Sequence, residues 1–294
     1  MTDNNDIEYI LGIQIERHPS SKTLILSQAK YIETILIKFN MATCKPVATP
    51  LEAGIRYSKT QANDLSSNDM QYMTTVPYSQ ILGCLQYLVT CTRLDLAYSV
   101  NHLAQFMSNP TLVHWIALKR VLRYFRKISH SGLLYKGSSS SSSLTYKLEG
   151  WCDADWAWDI DTRRSTSGYL FKLNGNLLSW HSKKQQVVAL SSTEAEYVAA
   201  ATATKELVWL QALLSELGYY IQMPCTLFSD NQSFIVLSRN PRFHERSKHI
   251  EIKYHFLQPT SYNWNTHQLV LCGQTSSPRA CLNLNIMHVL LLMV

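Results

Sequence analysis

Gly150-Trp151-Cys152-Asp153-Ala154-Asp155-Trp156 opens the stretch from which the fold is read. It continues through Arg163-Arg164-Ser165-Thr166-Ser167-Gly168-Tyr169 and Ser179-Trp180-His181-Ser182-Lys183-Lys184-Gln185 to Ser191-Ser192-Thr193-Glu194-Ala195-Glu196-Tyr197. Residues 144–152, 166–173 and 177–182 read as three successive strands, joined by short turns such as Asn174-Gly175-Asn176. Residues 193–217 then read as one long helix. The pairs Ser191/Glu194 and Thr193/Glu196 are capping boxes, Gly218 closes the helix, and Tyr197, Ala200, Ala201, Leu207, Leu210 and Leu214 form its apolar face. Residues 226–229 read as a strand ending at Asp230, and residues 232–237 as another helix. Three strands, a helix, a strand and a helix predict a mixed α/β sheet.

Upstream, Gly137 is followed by six serines, a flexible low-complexity segment that marks the clearest domain boundary in the chain. Before it, residues 7–15 alternate as a strand, with Leu24-Ile25-Leu26 as its hairpin partner. Tyr31, Ile32, Ile35, Leu36 and Phe39 predict an amphipathic helix, and residues 51–75 lack periodicity and predict a surface loop. Further helices are expected from Tyr78 onward, after Asp95, and over residues 113–127. In the last of these Lys119, Arg120, Arg123, Arg126 and Lys127 recur at spacings of three and four. Such a face is either solvated or a contact to nucleic-acid phosphates.

The 294 residues, 46% of them hydrophobic, fit two domains of ordinary globular composition. A net charge of +6 is compatible with a polyanionic partner. Seven cysteines without a close C-x-x-C pair argue against a disulfide framework and a zinc ribbon, so they read as reduced. The N-terminus has no apolar signal core, and the apolar residues 286–294 are too few to span a bilayer. The expectation is an intracellular chain without a membrane partner.

The chemistry is expected where acidic residues meet element ends. Asp153 lies on the first strand, Glu194 in the first turn of the long helix and Asp230 at the end of the fourth strand. If the first and fourth strands are neighbours, these carboxylates converge. Clustered carboxylates repel one another unless a cation sits between them, and hard oxygen ligands suit Mg²⁺ or Mn²⁺. Two such ions about 4 Å apart can support in-line attack on a phosphodiester. Asp155, two residues beyond Asp153, is expected elsewhere or at the rim. Lys183, Lys184 and the Arg163-Arg164 pair are usable phosphate contacts.

Residues 150–157, 163–169, 179–186, 190–197, Phe228-Ser229-Asp230-Asn231 and Ser247-Lys248-His249-Ile250 together resemble the ribonuclease H domain of copia-type LTR-retrotransposon Pol polyproteins. Ser27-Gln28-Ala29-Lys30-Tyr31, Thr92-Arg93-Leu94-Asp95 and the run from His114-Trp115 to Tyr124 resemble the segment that joins the family's polymerase to that domain. The resemblance implies a ribonuclease H-like mixed five-stranded sheet over residues 144–257. An α-rich reverse-transcriptase remnant over 1–136 and the linker 137–143 precede it. It further implies cleavage of the RNA strand of RNA–DNA hybrids by four carboxylates and two divalent ions. By motif match Asp153, Glu194 and Asp230 take the first three places, as catalytic residues and metal ligands. Lys119, Arg120, Arg123, Arg126, Lys183 and Lys184 are the expected nucleic-acid contacts, and other Pol fragments are possible partners.

Two departures bear on activity. The family's Tyr-x-Asp-Asp polymerase segment is absent, so no polymerase activity is expected. The fourth carboxylate belongs to an Ala-Asp-Ile-x-Thr-Lys block near the C-terminus, which is also absent. Residues 273–281, back-translated and read two bases later, permit Ala-Asp-Ile-Ile-Thr-Lys-Ser-Leu. Residues 258–294 therefore read as a frame-shifted, poorly packed tail, with the fifth strand degraded or supplied by residues 267–272. The readings are an impaired hybrid endonuclease, a hybrid-binding module without catalysis, or a non-functional transposon relic.

Overall fold

The computed structural model describes residues 7–62, 66–137, 145–239 and 269–273. The chain divides into two compact units, one of Met1–Gly137 with Asp159–Asp161, the other beginning at Ser138.

The first unit opens with β1 (Tyr9–Ile10) and β2 (Ile13–His18), which pair with each other antiparallel. The single strand expected over 7–15 is thus folded back on itself. Leu11 and Gly12 both have positive φ, 48° and 75°, the requirement of a two-residue hairpin turn, and the Tyr87 hydroxyl donates to the Leu11 carbonyl. β3 (Thr23–Ser27) pairs with β2, as the hairpin reading expects, and α1 (Ala29–Lys38) buries Ile32, Ile35 and Leu36. α2 (Ser67–Thr75) occupies part of the expected loop. Ser66 caps it by accepting the Asp69 N–H, and none of its residues is buried, which is why no apolar period announced it.

α3 (Tyr78–Cys91), α4 (Ala97–Ala104) and α5 (Leu112–Lys127) supply the core of this unit, with Ile81, Leu82, Leu85, Leu88, Val100, Leu103, Leu118, Val121 and Leu122 all buried. Between α3 and α4 the buried Arg93 holds both oxygens of Asp95, at 2.9 and 2.7 Å, and its guanidinium lies 4.8 Å from the Phe125 ring centroid. β4 (Gly132–Lys136) adds a strand beside β3, so this α-rich unit also carries a four-stranded antiparallel sheet. A Cβ at Gly132 would stand 2.6 Å from the Leu26 carbonyl oxygen, so only glycine permits that approach.

The second unit runs through β5 (Thr145–Tyr146), β6 (Leu148–Ala154), β7 (Thr166–Leu173), β8 (Asn176–Lys184), α6 (Ser192–Glu216), β9 (Tyr220–Ile221), β10 (Cys225–Ser229), α7 (Gln232–Arg239) and β11 (Leu269–Gly273). Its main sheet has the order β11-β10-β6-β7-β8, with β6, β7 and β8 antiparallel meanders and β10 and β11 parallel additions. This is the ribonuclease H-like mixed five-stranded sheet. α6 packs on β6 and β7 through Tyr197, Ala200, Ala203, Leu207, Leu210 and Leu214, against Leu148, Cys152, Phe171 and Leu227.

The fifth strand, β11, overlaps the stretch 267–272 expected as one of its two sources, and lies inside the segment otherwise expected to be a poorly packed tail. β11 pairs in continuous parallel register with β10, from Cys225 opposite Leu269 to Ser229 opposite Gly273. Its unbroken apolar run from Leu269 to Cys272 is sufficient for a strand that needs only one neighbour. The remainder of that segment, with Ser247-Lys248-His249-Ile250, lies outside the described residues. Cys44, Cys84, Cys91, Cys152 and Cys225 are free thiols. Among the described residues no helix is long and apolar enough to cross a membrane.

Candidate metal centre

The register of β6 and β10 decides where the first two carboxylates lie. Thr226, Leu227 and Phe228 stand opposite Glu149, Gly150 and Trp151 in a parallel pair. Carried two residues on, that register sets Asp230 opposite Asp153 at the same end of adjacent strands. Neighbouring strands are about 4.8 Å apart, so the two side chains meet without any unusual backbone.

Glu196 on α6 supplies the third carboxylate. One oxygen each from Asp153, Glu196 and Asp230 lie within 4.8 Å of one another. Glu196 is buried, Asp153 half-buried and Asp230 exposed, so the cluster is closed at the helix and open at the β10 end. The Ala154 N–H donates to Glu196 Oε1 at 3.3 Å, whereas Oε2 is buried with no protein partner. Burial and then the charges of Asp153 and Asp230 push the Glu196 carboxyl up to about 10. Burial and then Asp230 push Asp153 up to about 6. Both shifts express the cost of placing like charges together with little solvent. A divalent cation removes that cost, and an all-oxygen donor set with an orphaned buried oxygen fits Mg²⁺ or Mn²⁺.

Glu194 does not join the cluster. Its Oε2 accepts the Leu190 N–H at 2.7 Å, and its own N–H is bound by Ser191 Oγ at 3.1 Å. It is the reciprocal cap of α6, turned back toward the preceding loop. The signal for Glu196 lay in the helix's own apolar row. Leu214, Leu210, Leu207, Ala203 and Ala200 face the sheet at spacings of four and three, and the next step of that row is Glu196. Asp155 also stands apart: its Oδ1 accepts the Thr166 N–H at 2.8 Å, continuing the β6–β7 ladder past the last paired residue.

Of the expected nucleic-acid contacts, Lys183 and Lys184 end β8, the edge strand, opposite Ser167 and Thr166. Lys183 is exposed and Lys184 half-buried. On α5, Arg120 donates to the carbonyl and hydroxyl of Thr49, at 3.2 and 3.0 Å, and Arg123 to the Lys45 carbonyl at 2.8 Å. Lys119 lies over the Trp115 ring, 5.3 Å from its centroid, and Arg126 is exposed. Two of the four cations therefore hold the loop that precedes α2.

No family model matches the chain. The retrovirus-related Pol polyprotein from transposon TNT 1-94 of Nicotiana tabacum is 43% identical over 258 residues, 88% of this chain and 19% of that protein. The uncharacterized mitochondrial protein AtMg00810 of Arabidopsis thaliana is 41% identical over 212 residues, 72% of this chain and 82% of that one. LC11-RNase H1 in complex with an RNA/DNA hybrid covers 45% of this chain and 90% of its own, at 15% identity and a TM-score of 0.29, which is too low to argue from. The chain spans about a fifth of the length of the tobacco polyprotein it matches. With its ribonuclease H-like domain, the chain belongs to the copia-type retrotransposon Pol polyproteins and corresponds to their C-terminal part.

Proposed function

We propose that the second unit is a ribonuclease H-type endonuclease domain that acts on RNA–DNA hybrids with divalent metal, and that it is impaired. The observation that carries this reading is the convergence of Asp153, Glu196 and Asp230 within 4.8 Å. These residues would hold Mg²⁺ or Mn²⁺, and such ions supply activation of water and stabilisation of the leaving oxygen in phosphodiester hydrolysis. Asp153, flanked by the other two, would be shared between two ions. Asp230, exposed at the open end, would face the substrate. Lys183 and Lys184 would meet backbone phosphates from the edge strand, and of the expected contacts on α5 Arg126 and Lys119 are left to do the same.

Impairment follows from the donor count. The family resemblance implies four carboxylates, and among the described residues the cluster has three. Without the Ala-Asp-Ile-x-Thr-Lys block that carries the family's fourth ligand, water activation and leaving-oxygen stabilisation would no longer both be supplied. The test is cleavage of an end-labelled hybrid by the full chain in Mg²⁺ or Mn²⁺, with EDTA as control. Slow, metal-dependent cutting of the RNA strand that Asp153→Asn abolishes is the expected result. Salt-sensitive binding in EDTA without any cutting in metal would favour the hybrid-binding reading instead.

A further inference from the structure

Glu196 reaches Asp153 from a different element, so its placement depends on what fixes the first turn of α6 to the sheet. One buried side chain ties that turn to the strands beside the Ala154–Glu196 bond. Gln185, just beyond β8, is 5% exposed. Its Nε2 donates to Ser167 Oγ at 2.8 Å and to the Ala195 carbonyl at 2.9 Å, and its backbone N–H donates to the Ser165 carbonyl at 2.8 Å. Ser167 stands opposite Ala154 in the β6–β7 register, and Ala154 is the residue whose N–H holds Glu196 Oε1. Ala154, Ser167, Gln185, Ala195 and Glu196 thus form a closed ring beside the carboxylates. The Ala195 carbonyl belongs to the peptide that leads into Glu196, so gripping it sets the direction in which the Glu196 side chain leaves the helix.

The choice of glutamine is costly for stability alone. Its Oε1 is buried with no partner, a penalty that an apolar side chain of the same volume would not carry. Both Nε2 protons, by contrast, are used in directions that matter to the cluster. We propose that Gln185 is a positioning residue of the metal centre, orienting the Ala195–Glu196 peptide so that Glu196 meets Asp153. The inference rests on the reading of the carboxylate cluster as a metal site.

The experiment is calorimetric titration of the metal-free full chain with Mn²⁺ alone, alongside thermal unfolding. Gln185→Met keeps the volume and loses both bonds, and Ser167→Ala removes one bond and leaves the grip on Ala195. Glu196→Gln reports on the site itself. Gln185→Met is expected to weaken Mn²⁺ binding about tenfold, the lower end for residues that orient ligands, and Ser167→Ala by less than about twofold. Should Gln185→Met fail to fold, Gln185→Glu keeps the Ser167 contact but cannot, as a carboxylate, donate to Ala195. It is expected to bind Mn²⁺ more weakly despite its added negative charge. Unchanged Mn²⁺ affinity in the folded Gln185 variants, with Glu196→Gln impaired, would overturn the positioning role and leave the site intact. Unchanged affinity in Glu196→Gln would overturn the site and this inference with it.

Discussion

Gly150 sits on β6 three residues before Asp153, and a Cβ there would stand 2.3 Å from Phe171 Cε1 and 2.9 Å from Leu227 Cδ1. Phe171 is fully buried, so its ring has nowhere to go. Gly150→Ala is therefore expected to destabilise the second unit by roughly 1–3 kcal/mol, the usual cost of overpacking a filled core, read as a lower urea midpoint. An unchanged midpoint would mean that Phe171 can move aside. At this scale the sequence was legible where geometry follows from strand register. Asp153 and Asp230 needed only the adjacency of the first and fourth strands. Glu194 and Glu196 were not separable by capping logic, because both close an S/T-x-x-E pair. The apolar row below them, from Leu214 to Ala200, separates them.

The elements that sequence periodicity missed lack a periodic core face or break on a turn residue. α2 buries nothing, and β1 and β2 part at Leu11-Gly12. α5 was legible, and its N-terminus holds a pH-sensitive feature that was not. His114 is fully buried, its Nδ1 accepts the Thr111 N–H at 3.0 Å, and its ring stacks on Phe106 at a centroid distance of 3.9 Å. Burial, then the nearby His102, lower it from 6.5 to about 4, against a smaller opposing pull from Asp161. Because the folded value lies below the unfolded one, the unfolded chain binds the extra proton between these values. The contribution of neutral His114 to stability is complete above about pH 6.5 and is lost as pH falls toward 4. Wild type should thus lose its thermal advantage over His114→Phe across that window. A constant difference between the two from pH 7 to pH 4 would contradict this account of the cap.

For the whole molecule, the mixed sheet was readable from the order of its elements, and for its fifth strand the sequence left two readings, degraded or supplied by residues 267–272, of which β11 takes the second. β11 lies in sequence that reads as frame-shifted, yet it completes the sheet, since parallel pairing beside β10 asks only for a short apolar run. Restoring the frame after Leu257, so that an aspartate returns in an Ala-Asp-Ile block, is expected to raise hybrid cleavage sharply. Equal cleavage by the two proteins would show that the fourth carboxylate is not what limits this chain. The most direct measurement of the central claim is a Mn²⁺ titration followed by electron paramagnetic resonance, on wild type, Glu196→Gln and Glu194→Gln. Asp153, Glu196 and Asp230 as the ligand set predict binding in wild type and Glu194→Gln, with binding lost or strongly weakened in Glu196→Gln. Binding that survives in Glu196→Gln and disappears in Glu194→Gln, or no binding in wild type, would contradict it.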